Sequence, residues 1–122
     1  MKKRVLIVDD EEDIRNSIDY LIRRLGFETA LAKNGAEAIK KLNKEKFDLV
    51  LLDIFMPKMS GIDCAKKIRA NPKTKKQKIV FLTVAPITES GKGEVKKLKP
   101  ADYILKPIEL NDFERRIKKL LR

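Results

Sequence analysis

Apolar runs alternate with helix-spaced apolar positions along the whole chain. "RVLIV", residues 4 to 8, is a run of β-branched and aliphatic residues that reads as a strand buried on both faces. Ile14, Ile18, Leu21, Ile22 and Leu25 then recur at helical spacing and stop at Gly26, a residue that ends helices. "FETAL", residues 27 to 31, alternates apolar and polar as an edge strand does. Asn34-Gly35 opens a short helix carried by Ala38, Ile39 and Leu42, and "FDLVLL" is the next buried strand. Ser60 followed three residues later by Asp63 resembles a capping box, with Ile62, Ala65 and Ile68 as the inner face of its helix. "KIVFLT" and "DYILK" are the last two strands, and Leu110, Phe113, Ile117, Leu120 and Leu121 close the chain as an amphipathic helix. Strict alternation of strands and helices implies an α/β fold with a parallel sheet covered on both faces. The fourth helix is the weak member. "PITESGKGEVKKLKP" carries two internal glycines between prolines, and each glycine costs roughly 1 kcal/mol against alanine, so a short, distorted or mobile helix is expected.

One strand ends oddly. Leu49 to Leu52 run without a break into Asp53, and an ionised carboxylate is costly in a core unless something positive meets it. In open α/β sheets ligands bind beyond the carboxyl ends of the strands. Those ends carry Asp9 and Asp10, Asp53, Thr83, and Lys106-Pro107. If the first and third strands are neighbours, three carboxylates converge, which demands a cation or retained protons. A hard divalent ion with oxygen ligands, Mg²⁺ above all, suits that donor set. Taken singly, each residue has a plainer role: a helix cap, a strand-end hydroxyl, an exposed charge, a strand terminator. Together the cation, ammonium and hydroxyl could hold a phosphoryl group.

Composition narrows the chemistry further. At 122 residues the chain is expected to form one domain, 1 to 122, without a linker or a second domain. It has no histidine, which removes His-based catalysis, and a single cysteine, Cys64, which excludes an internal disulfide. The apolar runs are far too short to span a bilayer, and no signal-peptide pattern opens the chain, so no membrane insertion and a cytoplasmic location are expected. The net charge of +11, from 29 basic and 18 acidic residues, raises a basic nucleic-acid-binding module as an alternative. The basic residues are dispersed and lack interleaved aromatics for base stacking, which argues against nucleic acid as a partner. Against this background the five consecutive acids of "DDEED", residues 9 to 13, stand out.

"VLIVDDEEDIR", "FDLVLLDIFMPKMSG", "VFLT" and "DYILKP" resemble the receiver domain of two-component response regulators, over essentially the whole chain. The spacing agrees: 43 residues from Asp10 to Asp53, 30 from there to Thr83, and 23 more to Lys106. The resemblance implies a doubly wound, flavodoxin-like (βα)5 fold with strand order 2-1-3-4-5. It implies Asp53 as phosphoacceptor, taking a phosphoryl group from a histidine kinase or phosphotransfer protein. It implies Mg²⁺ (or Mn²⁺) bound directly by Asp10, Asp53 and the backbone carbonyl of Phe55, with Asp9 acting mainly through water. It further implies Lys106 pairing with the phosphoryl group and Asp53, a cis Lys106-Pro107 bond, and a Thr83–Tyr103 switch. That switch would reshape the surface of the fourth helix, fifth strand and fifth helix, where a downstream protein binds. Such a stand-alone receiver is a switch rather than an enzyme, although it promotes its own phosphorylation.

Several positions depart from the family pattern. Val84 stands where alanine, serine or glycine is usual and narrows the mouth of the site. Neither Phe55 nor Ala85 can hydrogen-bond an attacking water, so slow dephosphorylation is expected. Lys99-Pro100 replaces the usual Gly-Ala, which marks the fourth-helix surface as atypical. A receiver-like scaffold that takes no phosphate is the remaining alternative, and the presence of every acceptor residue argues against it. An aspartate-nucleophile phosphatase is disfavoured because Phe55 occupies the position of its second carboxylate.

Overall fold

The computed structural model describes residues 2–84 and 89–122. In order, its elements are β1 (Arg4–Val8), α1 (Glu12–Arg24), β2 (Glu28–Ala32), α2 (Gly35–Lys44) and β3 (Leu49–Asp53). They continue with α3 (Gly61–Ala70), β4 (Ile79–Thr83), α4 (Glu89–Lys97), β5 (Asp102–Leu105) and α5 (Leu110–Leu120). The five strands form one parallel sheet in the order β2-β1-β3-β4-β5, a doubly wound α/β fold of flavodoxin type.

The apolar runs are continuous because both sheet faces are covered. Successive strand residues point to opposite sides. Leu6, Val8, Val50, Leu52 and Phe81 pack with residues of α2, α3 and α4, whereas Val5, Ile7, Leu49, Leu51, Val80 and Leu82 pack with α1 and α5. β1, β3 and β4 are almost wholly buried, and the edge strand β2 is only partly so. β2 starts one residue later than the "FETAL" pattern. The Phe27 N–H still closes the end of α1 on the Ile22 carbonyl, and the first bond to β1 is Glu28 N–H to Lys3 O at 2.9 Å.

Local chemistry sets the helix boundaries. Gly26, at φ 95°, takes the left-handed position after α1 that a side chain disfavours. The Asn34 side chain accepts the Glu37 N–H at 2.8 Å, and Glu37 accepts the Lys33 N–H at 3.1 Å, which closes the start of α2. Ser60 accepts the Asp63 N–H at 3.1 Å, as the spacing of those two residues foretells. α4 is nine residues long, and the four residues before it lie outside the described part. Among the described residues no helix is long and apolar enough to cross a membrane.

Candidate functional site

Sheet register assembles the site. Val8 pairs with Leu52, so Asp9 and Asp10 emerge beside Asp53. Asp53 pairs with Leu82, which puts Thr83 one step further on, and Thr83 pairs with Leu105, one residue before Lys106. Four chain segments separated in sequence thus end on one edge.

Asp9, Asp53 and Thr83 are buried, whereas Asp10 is exposed at the lip. One carboxylate oxygen from each of Asp9, Asp10 and Asp53 lies within 4.8 Å of the others. The Lys106 ammonium, its side chain only 7% exposed, sits 2.7 Å from Asp9 Oδ2 and 3.5 Å from Asp53 Oδ1. Its shorter contact is to Asp9 and its longer one to Asp53, the acid with which the resemblance pairs it. Asp9 is fastened from every side. Its Oδ1 accepts the Glu11 N–H at 2.9 Å, its carbonyl accepts from the Arg15 guanidinium at 2.8 Å, and its N–H donates to the Ala32 carbonyl at 3.2 Å.

Asp53 is held less tightly, its Oδ1 accepting the Phe55 N–H at 3.4 Å. Burial pushes its carboxyl up to about 6, with Lys106 lowering it and the Asp9 charge raising it again. Three acids against one ammonium leave an uncompensated negative charge in a mostly buried cleft. Oxygen donors converging within one coordination sphere fit a hard divalent cation, and that cation would supply the missing charge.

The loop after β3 shapes the mouth. Phe55 is 58% exposed and Val84 64% exposed, so two apolar side chains stand at the rim. Ala85, the third residue expected to govern lifetime, lies outside the described residues. The Met59 N–H bonds to the Pro57 carbonyl at 2.8 Å, turning the chain tightly around Lys58 at φ 68°. Tyr103 is half-buried against the α2–α3–α4 core, and the Lys106-Pro107 peptide is cis.

Sequence reading did not single out Gly61. Its N–H donates to the Ile54 carbonyl at 2.8 Å. A Cβ there would collide with the Asp53 carbonyl oxygen and stand 2.8 Å from Ile54 Cα. The first residue of α3 therefore lies directly against the backbone that carries Asp53, a contact only glycine permits. Its position in "MPKMSG" is the only hint the sequence carries, and glycine occurs near helix starts for backbone freedom alone.

Residues 5–118 match the profile of the response regulator receiver domain. The chain belongs to that family. Receiver domains are phosphoacceptor switches of two-component signalling, bind Mg²⁺ at their acidic site, and work between histidine kinases and downstream effectors. The alkaline phosphatase synthesis transcriptional regulatory protein PhoP of Bacillus subtilis is 36% identical over 125 residues, a match covering 100% of this chain and 50% of that protein. This receiver thus spans about half the length of the curated relatives it matches. Among solved structures, the chemotaxis protein CheY4 of Vibrio cholerae superposes with a TM-score of 0.90 at 28% identity, covering 99% of this chain and 100% of that one. The response regulator TrrA of Thermotoga maritima, in complex with Mg²⁺-BeF, gives 0.83 at 36% identity, covering 98% and 99%.

Proposed function

We propose that Asp53 accepts a phosphoryl group from a histidine kinase or phosphotransfer protein and that the aspartyl phosphate switches a protein-binding surface. The observation that supports it best is one ammonium, Lys106, set between two buried carboxylates at 2.7 and 3.5 Å. Asp53 Oδ attacks phosphorus, the P–N bond to the donor histidine breaks, and the electron pair leaves with the imidazole. Asp9, Asp10, Asp53 and the Phe55 carbonyl are the groups that would hold Mg²⁺ or Mn²⁺, whose chemistry when bound is to neutralise phosphoryl oxygens. Lys106 adds a second positive partner to those oxygens, and the Thr83 hydroxyl closes on them as a donor. Thr83 ends β4 and Tyr103 lies on the neighbouring β5, so movement at Thr83 is passed to the α4–β5–α5 surface.

Incubation with Mg²⁺ and a small acyl-phosphate donor, read by intact mass, tests this. One added phosphoryl group on the wild type and none on Asp53→Asn is the expected result, and an unmodified wild type would refute the reading. The apolar rim predicts a long-lived phosphoryl group, because neither Phe55 nor Val84 orients water. Phe55→Asn should shorten the lifetime by about tenfold, equivalent to ~1.4 kcal/mol in the barrier. An unchanged decay of the mass-shifted species would remove Phe55 from that role. Relatives such as PhoP are about twice this length.

A further inference from the structure

Arg69, near the C-terminus of α3, makes no ion pair with a carboxylate among the described residues. Its guanidinium is spent on backbone carbonyls. Nε donates to the Leu98 carbonyl at 2.8 Å, and one terminal nitrogen donates to the Gln77 carbonyl at 2.6 Å and the Lys75 carbonyl at 3.1 Å. The other reaches the Lys99 carbonyl at 3.5 Å. Leu98 and Lys99 are the residues just beyond α4, so Arg69 holds the carbonyls of the turn that follows the helix. Only a planar fork with five donors can serve both sides at once.

The other side of the fork is itself hydrogen-bonded. Gln77 donates through its side chain to the Phe47 carbonyl at 3.1 Å, and Thr74 Oγ1 bonds to the Ile68 carbonyl at 2.8 Å. The α4–β5 turn, where Lys99 takes φ 51° and the Ala101 N–H bonds to the Ile79 carbonyl at 2.7 Å, is thereby tied to the fixed entry of β4. Val95 and Leu98 are buried in the same region. Gly91 lies in the first turn of α4 and Gly93 at its middle.

We propose that Arg69 is a positioning residue that holds the C-terminal end of α4 stationary, so that this helix responds to the site by pivoting about Leu98–Lys99. The inference rests on the reading of Asp53 as phosphoacceptor and adds which end of the signalling helix moves. α3 is thus a frame that carries the loop of the acceptor at its start and the hinge of the output helix near its end.

Loading with Mg²⁺ and beryllium fluoride, followed by amide exchange in NMR and by ¹⁹F signals of bound fluoride, tests it. In the wild type, exchange should change at least fivefold for amides of residues 91–93 and less than twofold for 95–99. In Arg69→Gln, loaded to the same ¹⁹F intensity, the change should spread through 95–99, and Arg69→Lys should restore part of the confinement. Lys66→Ala removes the exposed Lys66–Glu94 ion pair between α3 and α4 and should leave 95–99 as in the wild type. If Arg69→Gln fails to fold, Arg69→Lys and the wild-type profile decide. Equal changes at both ends of α4 in the wild type, or a confined change in a folded Arg69→Gln, would overturn the pivot. An absent ¹⁹F signal in the wild type would instead refute the phosphoacceptor reading, and the pivot with it.

Discussion

A carboxylate at the end of a buried strand weakens the fold it belongs to. Burial raises Asp53 from 3.8 to about 6, so the folded protein binds that proton more tightly than the unfolded chain does. Stability from this group is therefore highest below about pH 4, falls as pH rises through about 6, and stays low above it. In chelator-treated protein, Asp53→Asn should raise the unfolding free energy by roughly 1–3 kcal/mol at pH 8 and by little at pH 4. Urea unfolding at the two pH values measures the difference, and an equal gain at both would show that the acid is not strained. Asp53, Thr83 and Lys106 were legible in the sequence because each interrupts or terminates an apolar run. The preference of Lys106 for Asp9 was not, since it depends on how a four-carbon side chain reaches across β3. Gly61 was not legible either, because its importance lies in a backbone contact that no pattern of polarity records.

Among the elements, α4 is the one whose own residues resist it. Gly93 lies inside the helix on its exposed side, has no positive φ, and a Cβ built there meets nothing within 4 Å. Gly93→Ala should therefore stabilise the protein by about 0.5–1 kcal/mol and slow amide exchange along α4. A loss of stability would mean that the glycine has a role the folded geometry does not reveal. Helices α1, α2, α3 and α5 followed from apolar spacing and caps, and the central strands from runs buried on both faces. The fourth helix was legible only as a weakness, because its inward residues are few. Val95 and Leu98 supply its anchorage in the core, and the Arg69 fork that fastens its end belongs to a segment 29 residues away.

For the whole molecule, the charge of +11 has a definite geography. All five helices end on the edge away from the site, and each carries two basic residues in its last turn. Acids occupy the first turns of α1, α2, α3 and α5, beside the acidic cleft. Complementing the helix dipoles accounts for much of this placement. It does not account for the cleft of about 550 Å³ at the far edge, where Lys44, Lys46, Lys73, Lys76 and Lys78 outnumber Glu45 and Asp48. Like charges this dense repel, and salt screens them over about 10 Å at 0.1 M. Raising sodium chloride from about 0.02 to 0.3 M should increase the urea midpoint, and a decrease would show that the opposed charges at the helix ends outweigh the surplus. The sheet, meanwhile, is a partition. Alternate residues of every central strand serve one apolar compartment under α1 and α5 or the other under α2, α3 and α4, and among the described residues the two share no side chain. A receiver built this way can be repacked on one flank while the packing behind the other stays intact.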